Sequence, residues 1–345
     1  MDVEEIDPLQ DPRWSAFVRD HPCSSIFHTY GWLEALRRTY GFKPTALVTP
    51  DSEDELTNGL VFCCAKSWLT GCRLVSLPFS DHCDPLLKNE DILPLLIAEL
   101  LELARGKRCK YVELRPALEL PWAPPDFHKT QAFYLHRLDL TPGASAVFRG
   151  FHPDCIQRKI RRAERQSLRV EEGRDTSHVQ QFYHLLLRTR RRHGLPPQPI
   201  TWFHNLIECL GESLRIRLAY NNGTAIAGIL TLEHRKTLVY KYGASDERFH
   251  NLGGIPCLFW HAIQDAIDRG FEVMDMGRSE IDNPGLIAFK DHWGAKADLM
   301  TYWTCPGRLP RGNSAWKKTL VRRMCSSAPD VALRIAGTLF YKHAA

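Results

Sequence analysis

The chain has 345 residues, 44% hydrophobic and 25% charged, which at roughly 100–200 residues per domain predicts two domains. Sixteen Phe, nine Trp and ten Tyr exclude disorder throughout, and the longest apolar runs fall far short of the ~18 residues needed to cross a bilayer. The net charge is +5, and its placement matters more than its size. The last 33 residues hold Lys317, Lys318, Arg322, Arg323, Arg334 and Lys342 against Asp330 alone, so residues 1–312 are balanced overall. The opening MDVEEIDPLQ is acidic and polar, so no signal peptide is expected there. The eleven Cys, scattered apart from Cys63 and Cys64, then read as reduced thiols of a cytoplasmic protein.

In chain order, apolar residues at spacings of three and four predict helices over 13–20 and 29–40, the second with Trp32, Leu33, Leu36 and Tyr40 on one face. Strands are expected over 45–49, 59–66 and 73–78. A Leu-rich helix over 91–105 stops at Gly106. Strands over 111–115 and 133–140 complete a mixed α/β layer, because the helix must bury its Leu face on the sheet. The middle reads as helices over 153–167, 177–192 and 201–210. Strands follow over 214–220, 225–233 and 237–242, the first two joined by Asn221-Asn222-Gly223, a turn sequence that tolerates positive φ. A helix over 256–269, a strand over 272–276, a short helix over 285–292 and a strand over 299–304 repeat the order of the first half. The expected division is 1–142, 143–306 and a basic helical tail over 307–345. In that tail Trp316, Leu320, Val321 and Met324 share a face, and after Pro329 come Val331, Leu333, Ile335, Ala336, Leu339 and Phe340. Such a tail fits an anionic membrane surface, with its own second domain as the alternative partner.

Several ordered segments resemble the Fem-like branch of the GNAT acyltransferase superfamily, related to the peptidoglycan interpeptide-bridge aminoacyltransferases. They are FHTYGWLEALRRTYG (27–41), LPFSDHCDPLL (77–87), HPDCIQRKIRRAERQSLRVE (152–171), NLGGIPCLFWHAIQDAIDRG (251–270), MDMGRS (274–279) and GLIAFKDHWGA (285–295). The resemblance implies two tandem GNAT-like mixed-sheet domains with helices on their faces. It also implies an active cleft near their junction, and transfer of an acyl or aminoacyl group to an amine or hydroxyl of a cell-envelope or exopolysaccharide precursor. A non-catalytic GNAT-fold scaffold for envelope synthesis is the alternative.

Site residues follow from the same segments. Lys290 stands in the Phe-Lys context of the family and could stabilise a developing oxyanion or a donor phosphate. Arg278 follows a strand end and offers a donor fork for carboxylate or phosphate. Asp275 is a weaker base candidate, with a structural ion pair as its other reading. Tyr240 and Tyr242, two apart, are expected to share one strand face. Tyr242 is the general-acid candidate, core packing being its other role. Asn251, Gly253 and Gly254 open a helix and suit a donor phosphate, although the full Gly-rich coenzyme A signature is absent. Arg158 and Arg162, on a helix with Arg161 and Arg165, would contact an anionic acceptor such as a lipid-linked or nucleotide-linked glycan precursor, or tRNA.

Asp81 and His82 are expected to line the substrate cleft. With Cys83 and Asp84 they make an unconvincing metal set, because adjacent ligands on a short loop cannot all point at one ion. No metal is expected, and no hydrolase triad is legible. The donor is acyl-coenzyme A, such as acetyl-coenzyme A, or aminoacyl-tRNA. The long helical arm of several tRNA-using Fem enzymes has no counterpart here, which tilts the expectation towards coenzyme A. The expected location is the cytoplasm, with a peripheral position at the inner face of the membrane as the refinement.

Overall fold

The computed structural model describes residues 2–52, 55–67, 71–117, 125–306, 325–326 and 328–343. The chain forms two compact units: residues 1–133, 300–314 and 338–345, and residues 134–299 and 315–337.

The first unit runs β1 (Glu4–Ile6), α1 (Pro12–Asp20), α2 (Tyr30–Tyr40), β2 (Lys43–Ser52), β3 (Glu55–Ser67), β4 (Gly71–Val75), β5 (Leu86–Leu87), α3 (Leu93–Gly106) and β6 (Val112–Leu114). Neighbours β1 to β4 pair antiparallel, and β5 adds to β3. Between β4 and β6 the chain crosses over through α3, so that pair is parallel. Helix starts and stops follow capping chemistry. Asp11 accepts from the Arg13 N–H ahead of α1, Thr29 accepts from Trp32 ahead of α2, and Gly41 ends α2 at φ +72°. The Leu face read from the sequence is real: Leu93, Leu96, Ile97 and Leu100 of α3 pack on Leu47, Leu60, Phe62 and Leu74 of the sheet. At about 25 cal/mol per Å² of apolar surface, burying each such Leu contributes roughly 2 kcal/mol.

One buried polar knot in this unit gives a pH prediction. His28 is fully buried. Its Nδ1 accepts from the Ser25 N–H at 3.1 Å and its Nε2 donates to the Asp84 carbonyl at 3.0 Å, a pattern that fits the neutral ring alone. Burial pushes its pKa down to about 4, against the opposing pull of Asp84. An unfolded His titrates near 6.5, so below that pH the unfolded chain binds the proton first. Stability is therefore whole above about 6.5 and is lost as pH falls towards 4, by about 3 kcal/mol in all. Urea unfolding across that window measures it, and His28→Gln should flatten the profile.

Strand β7 (His128–Asp139) contributes residues to both units. The second unit continues with α4 (Ala144–Gly150), α5 (Arg158–Arg165), β8 (Arg169–Gly173), α6 (Thr176–His193), α7 (Ile200–Leu210), β9 (Leu214–Asn221), β10 (Thr224–His234), β11 (Thr237–Ser245), α8 (Gly254–Asp268), β12 (Val273–Glu280) and α9 (Pro284–Asp291). Strand β13 (Lys296–Cys305) again spans both units. Strands β8 to β11 are antiparallel neighbours, and α8 crosses over to make β11 and β12 parallel. The β9–β10 turn takes positive φ at Asn222 (48°) and Gly223 (76°), as its sequence demands. Leu258, Phe259, Ala262 and Ile263 of α8 pack on Ile226, Ala227 and Ile229 of β10. On the other sheet face a Cβ at Gly228 would meet Phe182 of α6. The unit is thus helix, sheet, helix.

The first tail segment, with Trp316, Leu320, Val321 and Met324, lies outside the described residues. The second is a helix, Asp330–His343. One side of it packs, with Leu333 buried, Asp330 paired to Arg191, and Arg334 over the Tyr183 ring. The opposite side is apolar and open: Val331, Ile335 and Leu339 are 68, 57 and 61% exposed, while Phe340, one heptad after Leu333, is 51% exposed at the margin of the packed side. Among the described residues no helix is long and apolar enough to cross a membrane.

Candidate active site at the end of two parallel strands

Strands β11 and β12 pair over Thr237–Val239 and Val273–Asp275, and both run several residues beyond that ladder. Each continuation carries an irregularity that places a functional group. On β11 the register against β10 jumps: Leu230 faces Tyr242, yet Thr231 faces Tyr240. Lys241 is therefore a bulge, and the period-2 alternation slips by one. Tyr240 packs on Phe259 of α8 at 4.5 Å, whereas Tyr242 packs on Phe203 of α7 at 5.3 Å and accepts from the Trp202 indole N–H at 2.9 Å. The expectation that the two tyrosines share a face is corrected: they serve opposite helix layers. Tyr242 is 7% exposed and is held in the core. The Tyr240 hydroxyl lies over Gly243, where a Cβ would collide with it. Among the described residues that hydroxyl has no hydrogen-bond partner. Burial pushes its pKa up to about 12, so it stays protonated and can donate.

On β12 the irregularity is Gly277, at φ +72°, a conformation that costs a side-chain residue about 1–2 kcal/mol. Asp275, 3% exposed, holds this kink by accepting the Gly277 N–H at 2.7 Å. In a regular strand successive carbonyls point to opposite sides. Here the kink lets two consecutive ones, Gly277 and Arg278, accept from the same Lys290 ammonium at 2.7 and 2.9 Å. Lys290 is only 2% exposed. It sits on α9, which starts with Asn283 capping the Leu286 N–H and Pro284 in the first turn. Phe289 and Trp293 pack on Phe259 at 5.8 and 4.9 Å. That one ring thus connects the lysine's helix to Tyr240.

His136, fully buried on β7, completes the set. Its Nδ1 is 3.4 Å from the Ser279 hydroxyl and its Nε2 is 3.5 Å from an Asp291 carboxylate oxygen. Burial, then the Lys290 charge, lowers its pKa, so the ring is neutral near pH 7. Sequence reasoning does not single it out, because it stands as one polar position in an alternating strand.

The other expected residues are placed as follows. Arg278 is half-buried and meets Lys290 through its own carbonyl. Gly253 precedes α8 at φ +79°, where a Cβ would run into the Lys159 carbonyl of α5, and a Cβ at Gly254 would stand 2.9 Å from that of Ala227. Both glycines are therefore demanded by packing, whatever else binds there. Arg162 donates to the Asn251 carbonyl at 3.1 Å, and Arg158 is an exposed partner of Asp154 at 3.3 Å. Asp81 and His82 belong to the first unit. The Asp81 carbonyl accepts from the Tyr302 hydroxyl at 2.7 Å, and His82, 7% exposed, lies 3.4 Å from an Asp84 oxygen. Burial raises the Asp84 pKa, but His82, the Ala117 N–H and His28 outweigh it and hold it below the usual value.

A helix–sheet–helix layer whose parallel strand pair carries donors past its ladder is the architecture of a GNAT domain. Residues 154–290 match the family model described as an acetyltransferase (GNAT) domain. The UDP-N-acetylmuramoylpentapeptide-lysine N(6)-alanyltransferase of Weissella viridescens is 26% identical over 159 residues, which is 44% of this chain and 46% of that protein. The match thus spans under half of that curated relative. Among solved structures, FemX superposes with a TM-score of 0.70 at 14% identity, over 93% of this chain and 100% of that one. A tandem GNAT protein from the clavulanic acid biosynthesis pathway gives 0.54 at 14%, over 90 and 100%. At such identities the two structures show the fold, a tandem GNAT architecture. The chain is thus similar to Fem-like members of the GNAT superfamily, with the GNAT domain match confined to residues 154–290.

Proposed function

We propose that the protein is an acyltransferase that passes an acyl or aminoacyl group to an amine or hydroxyl of a cell-envelope precursor. The observation that carries this reading is the Lys290 ammonium, buried and gripped by two carbonyls of the kinked β12. A fixed cation in a site of low dielectric stabilises an oxyanion far more than one in water. The protonated Tyr240 hydroxyl is available as a second donor, for the oxyanion or for a leaving group. The neutral His136 beside Lys290 and Asp291 is suited to hold that helix end in place. Acyl transfer through a tetrahedral intermediate needs such donors and a positioned nucleophile, and no covalent enzyme intermediate. The name of the Weissella relative favours the ε-amine of a lysine in a nucleotide-linked muropeptide as acceptor, and an alanyl group as cargo. For the donor phosphate, the N-terminus of α8 offers the main-chain N–H groups of Gly254 and Ile255, with Arg162 alongside.

Thermal-shift measurements with acetyl-coenzyme A, with alanyl-tRNA and with the muropeptide test the reading. A true ligand at 100 times its Kd stabilises by about 2.7 kcal/mol. Stabilisation by none of them, together with no turnover, rejects enzymatic transfer in favour of a scaffold. The role of Tyr240 has its own test. In Gly243→Ala the new methyl must displace the Tyr240 hydroxyl, which is the far end of a flexible side chain. Stability should change by under about 1 kcal/mol while kcat falls as far as it does in Tyr240→Phe, about 10²-fold or more.

We further propose that the open face of the helix Asp330–His343 rests on an anionic membrane. Val331, Ile335 and Leu339 present apolar area, and the sequence around them is basic, each Lys or Arg adding about 1 kcal/mol near an anionic leaflet. Co-sedimentation with vesicles containing phosphatidylglycerol should be lost in Ile335→Asp and weaken with salt. Equal recovery of both proteins in the supernatant rejects it.

A further inference from the structure

Three cysteines that are far apart in sequence converge in the first unit. Strands β3 and β4 pair with Cys64 opposite Leu74 and Lys66 opposite Cys72. Cys64 and Cys72 are therefore diagonal neighbours on one sheet face. Cys109 reaches the same place from the end of α3. Its N–H closes on the Ala104 carbonyl at 2.8 Å, and the next residue, Lys110, donates to the Cys72 carbonyl at 2.8 Å. The Cys72 sulfur lies 3.5 Å from that of Cys64 and 2.8 Å from that of Cys109. All three sulfurs fall within 4.8 Å of one another, and all three residues are half-buried.

We propose that Cys64, Cys72 and Cys109 form a tris-thiolate site for a closed-shell thiophilic cation, either Zn²⁺ with water as fourth ligand or Cu⁺ in trigonal coordination. The 2.8 Å contact is tighter than non-bonded heavy atoms ordinarily pack, about 3.5–4.0 Å between carbons. It is also longer than a disulfide bond of about 2.05 Å. With metal–sulfur bonds of about 2.3 Å, sulfurs sharing an ion stand roughly 3.8–4.0 Å apart. An ion would therefore separate Cys72 from Cys109 by about an ångström and keep the third sulfur in use. A disulfide would instead draw the close pair together by about 0.75 Å and engage two of the three sulfurs that lie within 4.8 Å of one another. Sulfur is also the donor that selects these ions over hard ones. Each thiol releases its proton to solvent as its sulfur–metal bond forms, and no electron moves.

The charge balance is favourable. Burial, and after it the neighbouring thiol of Cys72, raises the thiols of Cys64 and Cys109, so that three thiolates without an ion are disfavoured. The exposed Lys66 lies close enough to act on Cys64 in the opposite direction, and Lys107 does so more weakly while also pairing with Glu5 at 3.3 Å. They would offset the residual negative charge of an ion bound by three thiolates. Partial exposure leaves an entry path and room for the water ligand. The spacings, eight and then thirty-seven residues, match no ligand motif, so only the fold brings the set together.

The full-length protein, reduced and stripped of metal, is titrated anaerobically with Co²⁺ as a spectroscopic probe. Competition against a chromophoric chelator with Zn²⁺, and separately with Cu⁺, follows. One equivalent should bind, with a thiolate-to-cobalt charge-transfer band. The two chelator arms show which ion is held more tightly. Cys64→Ser, Cys72→Ser and Cys109→Ser should each weaken binding by about 100-fold or more. The exposed Cys23→Ser should leave it unchanged. Mass mapping of alkylated wild-type protein gives a readout that does not depend on variants folding: the ion should protect Cys64, Cys72 and Cys109 while Cys23 reacts. Binding that survives Cys72→Ser, no protection of these three thiols, or a Cys72–Cys109 disulfide in protein that never takes up the ion would each overturn the proposal.

Discussion

Lys290→Ala should lower kcat by about 10²- to 10³-fold with little change in KM, the loss found when one oxyanion donor is removed. The expectation rests on where the ammonium is anchored. Its hydrogen bonds run to the carbonyls of Gly277 and Arg278, so its position is fixed before any substrate arrives and costs no reorganisation during the reaction. The same substitution leaves two carbonyls without their donor in a buried setting, at about 1–3 kcal/mol each. Unfolding curves must therefore accompany the kinetics. Lys290→Met, which keeps the volume, separates the effects: activity should remain low while part of the packing returns. A loss of activity that tracks the unfolded fraction alone would reduce Lys290 to a structural role. Unchanged kcat in a folded variant would remove it from the reaction altogether.

Gly253→Ala should destabilise the second unit by about 2–5 kcal/mol. At φ +79° a side chain costs about 1–2 kcal/mol, and overpacking adds about 1–3 kcal/mol. The obstructing atom is the backbone oxygen of Lys159, which cannot swing aside without moving α5. The midpoint of urea unfolding reads this directly. Should the variant unfold like the parent, the α5–α8 contact is loose enough to yield and the close approach is not what requires glycine. A second consequence separates packing from ligand binding. If α5 shifts, Arg162 loses the Asn251 carbonyl, and any donor phosphate bound at the α8 N-terminus should bind more weakly even where the fold persists.

Most elements were legible because their periodicity is strong. The Leu face of α3, the Phe182 and Leu186 stripe of α6 and the Asn222-Gly223 turn all stand where the residues place them. Strand β8, Arg169–Gly173, escaped because Arg, Val, Glu, Glu and Gly show no clear alternation, and it forms by pairing with β9. Helix α4 spans only seven residues, too few for a periodic signal. Lys290 and Arg278 could be singled out from sequence, yet the link between them could not, since it runs through main-chain carbonyls at a kink. His136 was hidden because its strand alternates polar with apolar residues and both kinds turn out to be enclosed there. Tyr240 and Tyr242 show the commonest failure: a bulge is a matter of register against a partner strand, and a single strand's sequence carries no record of it.

The Lys241 bulge has a further consequence for how this protein can change. Without it, β11 would send both tyrosines to one helix layer and leave the other with no aromatic anchor at that level. With it, one short stretch of backbone is bolted to α7 through Tyr242 and to α8 through Tyr240. A substitution at either ring then disturbs one layer and leaves the other in place, whatever it does to the reaction. Deleting a single residue between them is not, since every side chain from 242 to 245 would exchange layers at once. Point mutation can tune this strand, whereas a one-codon deletion would scramble it.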